Sequence, residues 1–364
     1  MDGMHQKGMA VKKMKACLVA PTPPPAGGIA GWTRRMLETT LKNGWEVVVV
    51  DTKLTGNRTV FGAESKKTLL DEARRSCRIW YALRRTLKNP EIKVVHTCFP
   101  ATSTAMLREI GVGCITKMCG RKLITHFRCT VPNMVKTRCG RLLFKIVTWL
   151  SDDVFLLNTP SVDFLRQYSP KKKCKLIPNF IESVAIPQER QYSAEIKRAV
   201  YIGGVIPEKG CDHILVVAQQ MPEIQFRLIG KIGIDVDKVP ANVMLAGEVD
   251  KARVQDELKQ ADVFLFLGRF LGEGFSNALA EAMAYSLPCI VTDWAANADM
   301  IENKGGVVVG ADTVQDTMRA LQIINSPKIR QEMGRWNREK VLRYYSDVAV
   351  TAQYVDAYEK LLVR

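Results

Sequence analysis

Short apolar runs rich in β-branched residues alternate along the chain with stretches whose apolar positions recur at helical spacing. In the first half, residues 15–20 (KACLVA), 45–51 (WEVVVVD), 93–99 (KVVHTCF), 122–127 (KLITHF), 153–158 (DVFLLN) and 174–179 (CKLIPN) predict strands. Between them, patterns such as GWTRRMLETTLKN and the arginine-rich DEARRSCRIWYALRRTLKN predict helices. Strands alternating with helices imply parallel sheets with crossover helices. Proline and charge break the pattern over residues 182–197, which read as a linker. The alternation then restarts with runs at 198–204, 225–230, 242–247, 262–268, 288–293 and 306–310. The expected fold class is α/β, with two Rossmann-like doubly wound halves facing a central cleft, because open parallel sheets bind ligands beyond the carboxyl ends of their strands. The expected division is a first domain over 1–188, a second over 189–340, and a carboxy-terminal helix over 341–364 returning toward the first.

A length of 364 residues exceeds what one core usually organises, which agrees with two domains. Apolar residues at 47% and charged residues at 25% are globular values and exclude a disordered or integral membrane chain. No apolar run reaches the roughly 18 residues of a spanning helix. The amino terminus is basic but lacks the apolar block of a signal peptide. The expected location is therefore cytoplasmic. Ten cysteines show no metal-ligand spacing and read as reduced, mostly buried thiols. The net charge of +16 is unevenly spread: residues 1–190 hold 33 Lys and Arg against 14 Asp and Glu, hence +19, and the remainder holds 20 against 23, hence −3. The basic half attracts phosphates, whether of nucleotide, nucleic acid or lipid headgroup.

The segment GEGFSNALAEAMAYSLPCIVTD (272–293) carries the most chemistry. A strand leads into a loop holding Glu273, then into a helix opening near Ser276 or Asn277, with Glu281 about one turn inside. Amides of Gly274, Phe275, Ser276 and Asn277 at such a helix start suit a diphosphate, since first-turn N–H groups lack helical partners. Glu281 suits a vicinal diol such as a ribose, and Glu273 suits sugar hydroxyls, because carboxylates are strong acceptors. A capped amphipathic helix with two solvated glutamates fits the same spacing.

The run Glu273, seven residues, Glu281, followed by LPCIVTD, resembles the signature of family 4 retaining glycosyltransferases of the GT-B fold, the glycosyl transferases group 1. VYIGGVIPEKGCDHIL (200–215), the segment 242–268, IPNFIE and the amino-terminal APTPPPAGGIAGWTRRMLETTLKNGWEVVVVDT extend the resemblance over most of the chain. It implies metal-independent transfer, with no cofactor, from a UDP- or GDP-linked sugar held in the second domain. It places Glu281 on the donor ribose, Glu273 on the transferred sugar, Lys209 on the diphosphate, Gly27 and Gly28 beside the donor phosphate, and His126 on the sugar site, with Arg128 a weaker candidate there. The chain departs from the pattern at Gly204, where an arginine is usual, and Arg269 or Lys231 is the expected replacement cation. The acidic string Asp235, Val236, Asp237 lies outside the context of a metal motif.

The resulting expectation is a retaining hexosyltransferase acting on a glycan or lipid-linked acceptor in polysaccharide or glycolipid synthesis. It would dock peripherally on the anionic inner face of the cell membrane. Arg74, Arg75, Arg78, Arg84, Arg85 and Lys88, interleaved with Trp80 and Tyr81, form one basic stretch, and Lys136, Arg138, Arg141 and Lys145 beside LLFKIVTWL form a basic helix with an apolar face. Two alternatives are a nucleotide-sugar epimerase of the same fold and a nonenzymatic nucleic-acid-binding protein using the basic half. Against the first stand only four histidines, His5, His96, His126 and His213. Against the second, no recognised nucleic-acid motif accompanies the charge, so no nucleic-acid partner is expected. A nicotinamide dehydrogenase is excluded because no G-x-G-x-x-G follows the first strand.

Overall fold

A computed structural model describes residues 14–24, 27–39, 41, 45–53, 69–183, 190–310 and 313–363. Six strands form the first sheet: β1 Lys15–Ala20, β2 Glu46–Asp51, β3 Ile92–Phe99, β4 Lys122–Phe127, β5 Asp153–Leu156 and β6 Cys174–Leu176. Their order is β2-β1-β3-β4-β5-β6, and all pairs are parallel. The second sheet holds β7 Arg198–Ile202, β8 Gln225–Ile229, β9 Val243–Gly247, β10 Val263–Phe266, β11 Cys289–Thr292 and β12 Gly306–Val309, in the order β12-β11-β10-β7-β8-β9, again parallel. Each expected strand run holds one of these, except that β3 begins one residue before its run. The central strands β5, β10 and β11 are buried at every position, as parallel strands covered on both faces must be.

One large core lies around the second sheet and three clusters surround the first. The helix Pro327–Lys340 runs into a π-helical turn over Val341–Tyr345. There the chain crosses back beside residue 181: the Ile181 amide donates to the Tyr345 carbonyl at 2.9 Å, and the Asp347 amide donates to the Ile181 carbonyl at 2.9 Å. The following helix, Asp347–Leu362, buries Val350, Tyr354, Val355, Tyr358 and Leu361 against Trp32, Trp45 and Phe180 of the first domain.

The segment expected to act as a linker is fastened where it is described. Arg190 donates to the carbonyls of Leu258 and Tyr285, Tyr192 donates to the carbonyl of Ser286, and the fully buried Arg330 holds the Ser193 carbonyl at 2.7 Å. The described part of the segment, from residue 190 on, is therefore packed on the second half, and residues 184–189 with Pro187 lie outside the described residues. The thiols divide more evenly than expected: Cys17, Cys98, Cys129, Cys211 and Cys289 are buried, whereas Cys77, Cys114 and Cys139 are exposed.

Candidate active site in the interdomain cleft

After β10 the chain turns through residues 267–276 into the helix Asn277–Ala284. The Ser276 hydroxyl caps that helix by accepting from the Leu279 amide at 3.2 Å. Its apolar face buries Leu279, Ala280, Ala282 and Met283, which leaves Glu281 for the cleft. The preceding loop is tied to the first domain. The Glu273 carbonyl accepts from the Thr130 amide at 3.1 Å and hydroxyl at 2.8 Å, and the Gly274 carbonyl accepts from the Asn158 side-chain amide at 2.9 Å. A Cβ at Gly274 would stand 2.9 Å from the Cys129 Cα and 2.8 Å from a Leu157 methyl, so only glycine permits this approach. Asn179 donates to Asn277 Oδ1 at 2.9 Å and to the Phe275 carbonyl at 3.4 Å, while its own oxygen accepts from Arg128.

Lys209 ends the short 3₁₀ turn Pro207–Lys209, and Gly210 follows in the left-handed region at φ 79°. A Cβ at Gly268 would lie 2.6 Å from the Lys209 carbonyl carbon, so this pair of glycines lets the 209–210 and 267–268 segments nest together. The outcome is an ion pair, Lys209 Nζ to Glu273 Oε2 at 2.5 Å, with Nζ also 4.4 Å from the centre of the Phe270 ring. Both side chains are about 15% exposed, so the pair is shielded yet reachable.

Glu281 lines a cavity of about 300 Å³ together with Arg34, Arg35, Glu182, Lys251 and Tyr285. Burial pushes its carboxyl above the ordinary carboxylate range, and the nearby Arg35 guanidinium works against that. Lys251 is paired with Glu182 at 2.7 Å.

The remaining expected residues lie in varied settings. Gly28 opens the helix Gly28–Glu38 with Gly27 at its N-cap, and a Cβ at Gly28 would meet no atom of the described residues within 4 Å. His126 is fully buried: its ring stacks on His96 with centroids 5.4 Å apart and is enclosed by Trp32, Phe155 and Tyr354. Burial first, then the Arg128 guanidinium, hold it well below the usual histidine range, so it is neutral and faces no open space. Arg128 itself stacks 4.3 Å over Trp32. Lys231 is exposed at the end of β8. Arg269 is exposed and donates to the Gly310 carbonyl at 2.8 Å. Asp235 caps its own short turn and pairs with Lys238 at 3.1 Å. His96, Cys98 and His126 form a compact group of potential metal ligands. However, His96 already bonds Tyr358 at 2.8 Å and His126 at 3.2 Å, and the adjacent Arg128 cation opposes a second positive charge.

Thr130, Asn158, Asn179, Arg35 and Lys251 escaped the reading by motif. One signal was present for Arg35: Trp32 and Met36 are large apolar residues on the buried face of its helix, and residue 35 lies at the edge of that face.

Residues 196–324 match the family model described as Glycosyl transferases group 1. No curated protein matches the sequence. Among solved structures, the chain resembles sucrose-phosphate synthase from Thermosynechococcus elongatus with a TM-score of 0.77 at 15% identity, covering 96% of this chain and 100% of that one. It resembles the lipopolysaccharide outer core galactosyltransferase WaaB with a TM-score of 0.69 at 16% identity, covering 95% and 99%. It also resembles Anabaena HepE in complex with UDP and glucose, with a TM-score of 0.68 at 11% identity, covering 95% and 100%. At such identities the likeness is one of fold, and the fold is GT-B.

Proposed function

We propose that this glycosyltransferase of group 1, built on the GT-B fold, takes a UDP- or GDP-linked sugar into its cleft and transfers the sugar with retention of configuration. The observation that carries this reading is the single loop-and-helix unit that presents Glu273 beside Lys209 and Glu281 in the adjoining cavity. Glu281 accepts the ribose hydroxyls. Glu273 accepts hydroxyls of the transferred sugar, and Lys209 offsets the charge that develops on the leaving diphosphate. An ammonium has three donors, so Lys209 holds Glu273 and a phosphate oxygen together. UDP is the first nucleotide to try, because the HepE complex contains it.

The acceptor is a lipid-linked sugar or polysaccharide precursor met at an anionic membrane. Support comes from the helix Arg138–Leu150, whose residues split cleanly. Leu143, Phe144, Val147 and Leu150 are core, while Arg138, Leu142, Lys145 and Trp149 form one exposed stripe, Trp149 being 76% exposed. A cationic stripe carrying leucine and tryptophan is suited to the interface between headgroups and acyl chains. Arg74, Arg78, Arg84 and Arg85 on the helix Leu69–Thr86, and Lys88 in the turn that follows it, are exposed as well, although Arg78 spends one donor on the Lys53 carbonyl and Trp80 packs on Gly111. Among the described residues no helix is long and apolar enough to cross a membrane.

Incubation with a panel of UDP and GDP sugars should release nucleoside diphosphate from one of them, with the anomer of the product read by NMR. Vesicles containing anionic lipid should float the protein at low salt and lose it at high salt. Inertness toward the entire panel removes the transferase reading, and equal indifference to anionic and neutral vesicles removes the membrane part alone.

A further inference from the structure

Arg35 stands in the wall of the Glu281 cavity but comes from the other domain, seven residues into the helix that starts at Gly28. Its Nε and Nη2 are shut off from solvent and find no hydrogen-bond partner among the described residues. Those two atoms carry the parallel N–H pair with which a guanidinium grips two oxygens at once. A buried guanidinium with both of these donors unmatched is costly unless an acceptor joins it. The other charges around the cavity do not meet that need. Lys251 and Glu182 are paired with each other at 2.7 Å, Arg34 is exposed and lies 3.9 Å from Glu38, and Glu281 acts on Arg35 through space without bonding it.

The charge balance of the cleft points the same way. Lys209 is already tied to Glu273, Arg269 donates to the Gly310 carbonyl, and Gly204 has no side chain to offer. A nucleoside diphosphate entering beside Glu281 would therefore bring two anionic phosphates close to Arg35, a half-buried cation whose guanidinium lies 5.8 Å from the centre of the Phe180 ring and whose Nε and Nη2 have no hydrogen-bond partner among the described residues.

We infer that Arg35 is a donor-binding residue: its side chain turns from this sheltered position into the cavity that it lines, and its fork takes a pair of phosphate oxygens of the nucleoside diphosphate, so that the nucleotide bridges the two domains. This rests on the reading of Glu281 as the ribose ligand. It also assigns the second donor cation to the first domain, where neither Arg269 nor Lys231 lies. A neutral nucleobase edge is the lesser candidate, because it would leave the buried charge of Arg35 uncompensated.

Calorimetric titration of the full chain with UDP, UMP and uridine tests the assignment, with GDP, GMP and guanosine used if the chain prefers guanine. Arg35→Ala should weaken nucleoside diphosphate binding by roughly ten- to hundredfold while nucleoside binding stays unchanged, which also certifies the fold of the variant. Arg35→Lys should recover only part of the loss, since an ammonium lacks the fork. Diphosphate affinity equal to wild type in Arg35→Ala overturns the assignment. So does an equal loss for nucleoside and diphosphate, which would mean base recognition or a structural role. Glu281→Ala separates the premise from the inference: if it binds all three ligands as wild type does, the ribose reading fails, whatever Arg35 does.

Discussion

At the scale of single residues, the two signature glutamates sit in different surroundings and should fail differently. Glu281 lies in a cavity wall with its carboxyl pushed up by burial, whereas Glu273 is held as a partner of Lys209 at 2.5 Å. One position suits a spectator ribose, the other the reacting sugar. Glu281→Ala should therefore act mainly on donor affinity and KM, and Glu273→Ala mainly on kcat, each by about 1.5 to 3 kcal/mol for a lost charge-assisted hydrogen bond. Steady-state kinetics on the donor found in the panel decide it, and unchanged constants in both variants would leave the signature without a function. These roles are proposed from residue type, spacing and the family resemblance. The partners that fix them, Thr130, Asn158 and Asn179, stand about a hundred or more residues away in the chain and carry no local motif.

At the scale of elements, the loop 267–276 is shaped as much by what it touches as by its own sequence. Its carbonyls at Glu273 and Gly274 are both used by first-domain donors, and the backbone at Gly274 lies against Cys129. Gly274→Ala forces either the loop or the domain contact to give way. It should cost about 1 to 3 kcal/mol in urea unfolding, the range for overpacking a filled space. Gly204→Ala is the internal comparison, since a Cβ there meets none of the described residues within 4 Å, and it should stay within about 0.5 kcal/mol of wild type. Equal unfolding midpoints for the two variants would show that the contact at Gly274 does not constrain the chain. The helix Arg138–Leu150 makes a related point. Its apolar residues read from sequence as one interfacial face, yet the fold buries Leu143 and Phe144 and leaves only Leu142 and Trp149 of that face outside.

At the scale of the whole molecule, the carboxy-terminal helix closes the first core through Tyr358, which bonds His96 at 2.8 Å in a fully buried setting. Burial, then the Arg128 cation, push the His96 imidazole down to about 3. An unfolded histidine titrates near 6.5, so below that pH the unfolded chain binds a proton that the folded chain refuses. Stability is complete above about pH 6.5 and falls as the pH drops toward 3, by roughly 2 kcal/mol at pH 5 for His96 alone. His126, held neutral by the same causes, acts in the same direction. Urea unfolding at pH 7 and pH 5 should show this loss in the wild type and a smaller one in His96→Asn; equal slopes in the two proteins would rule out the histidine as its source. Alternation of strands and helices, the break near residue 190 and the spacing of Glu273 and Glu281 were all legible along the chain, because they depend on local periodicity and short-range chemistry. Tertiary structure alone decided that His126 is enclosed, that Lys209 and Glu273 meet, and that Arg35 reaches the cavity of Glu281. Each of these joins residues about thirty or more positions apart in the chain, and long-range packing, not local pattern, sets which of them come together.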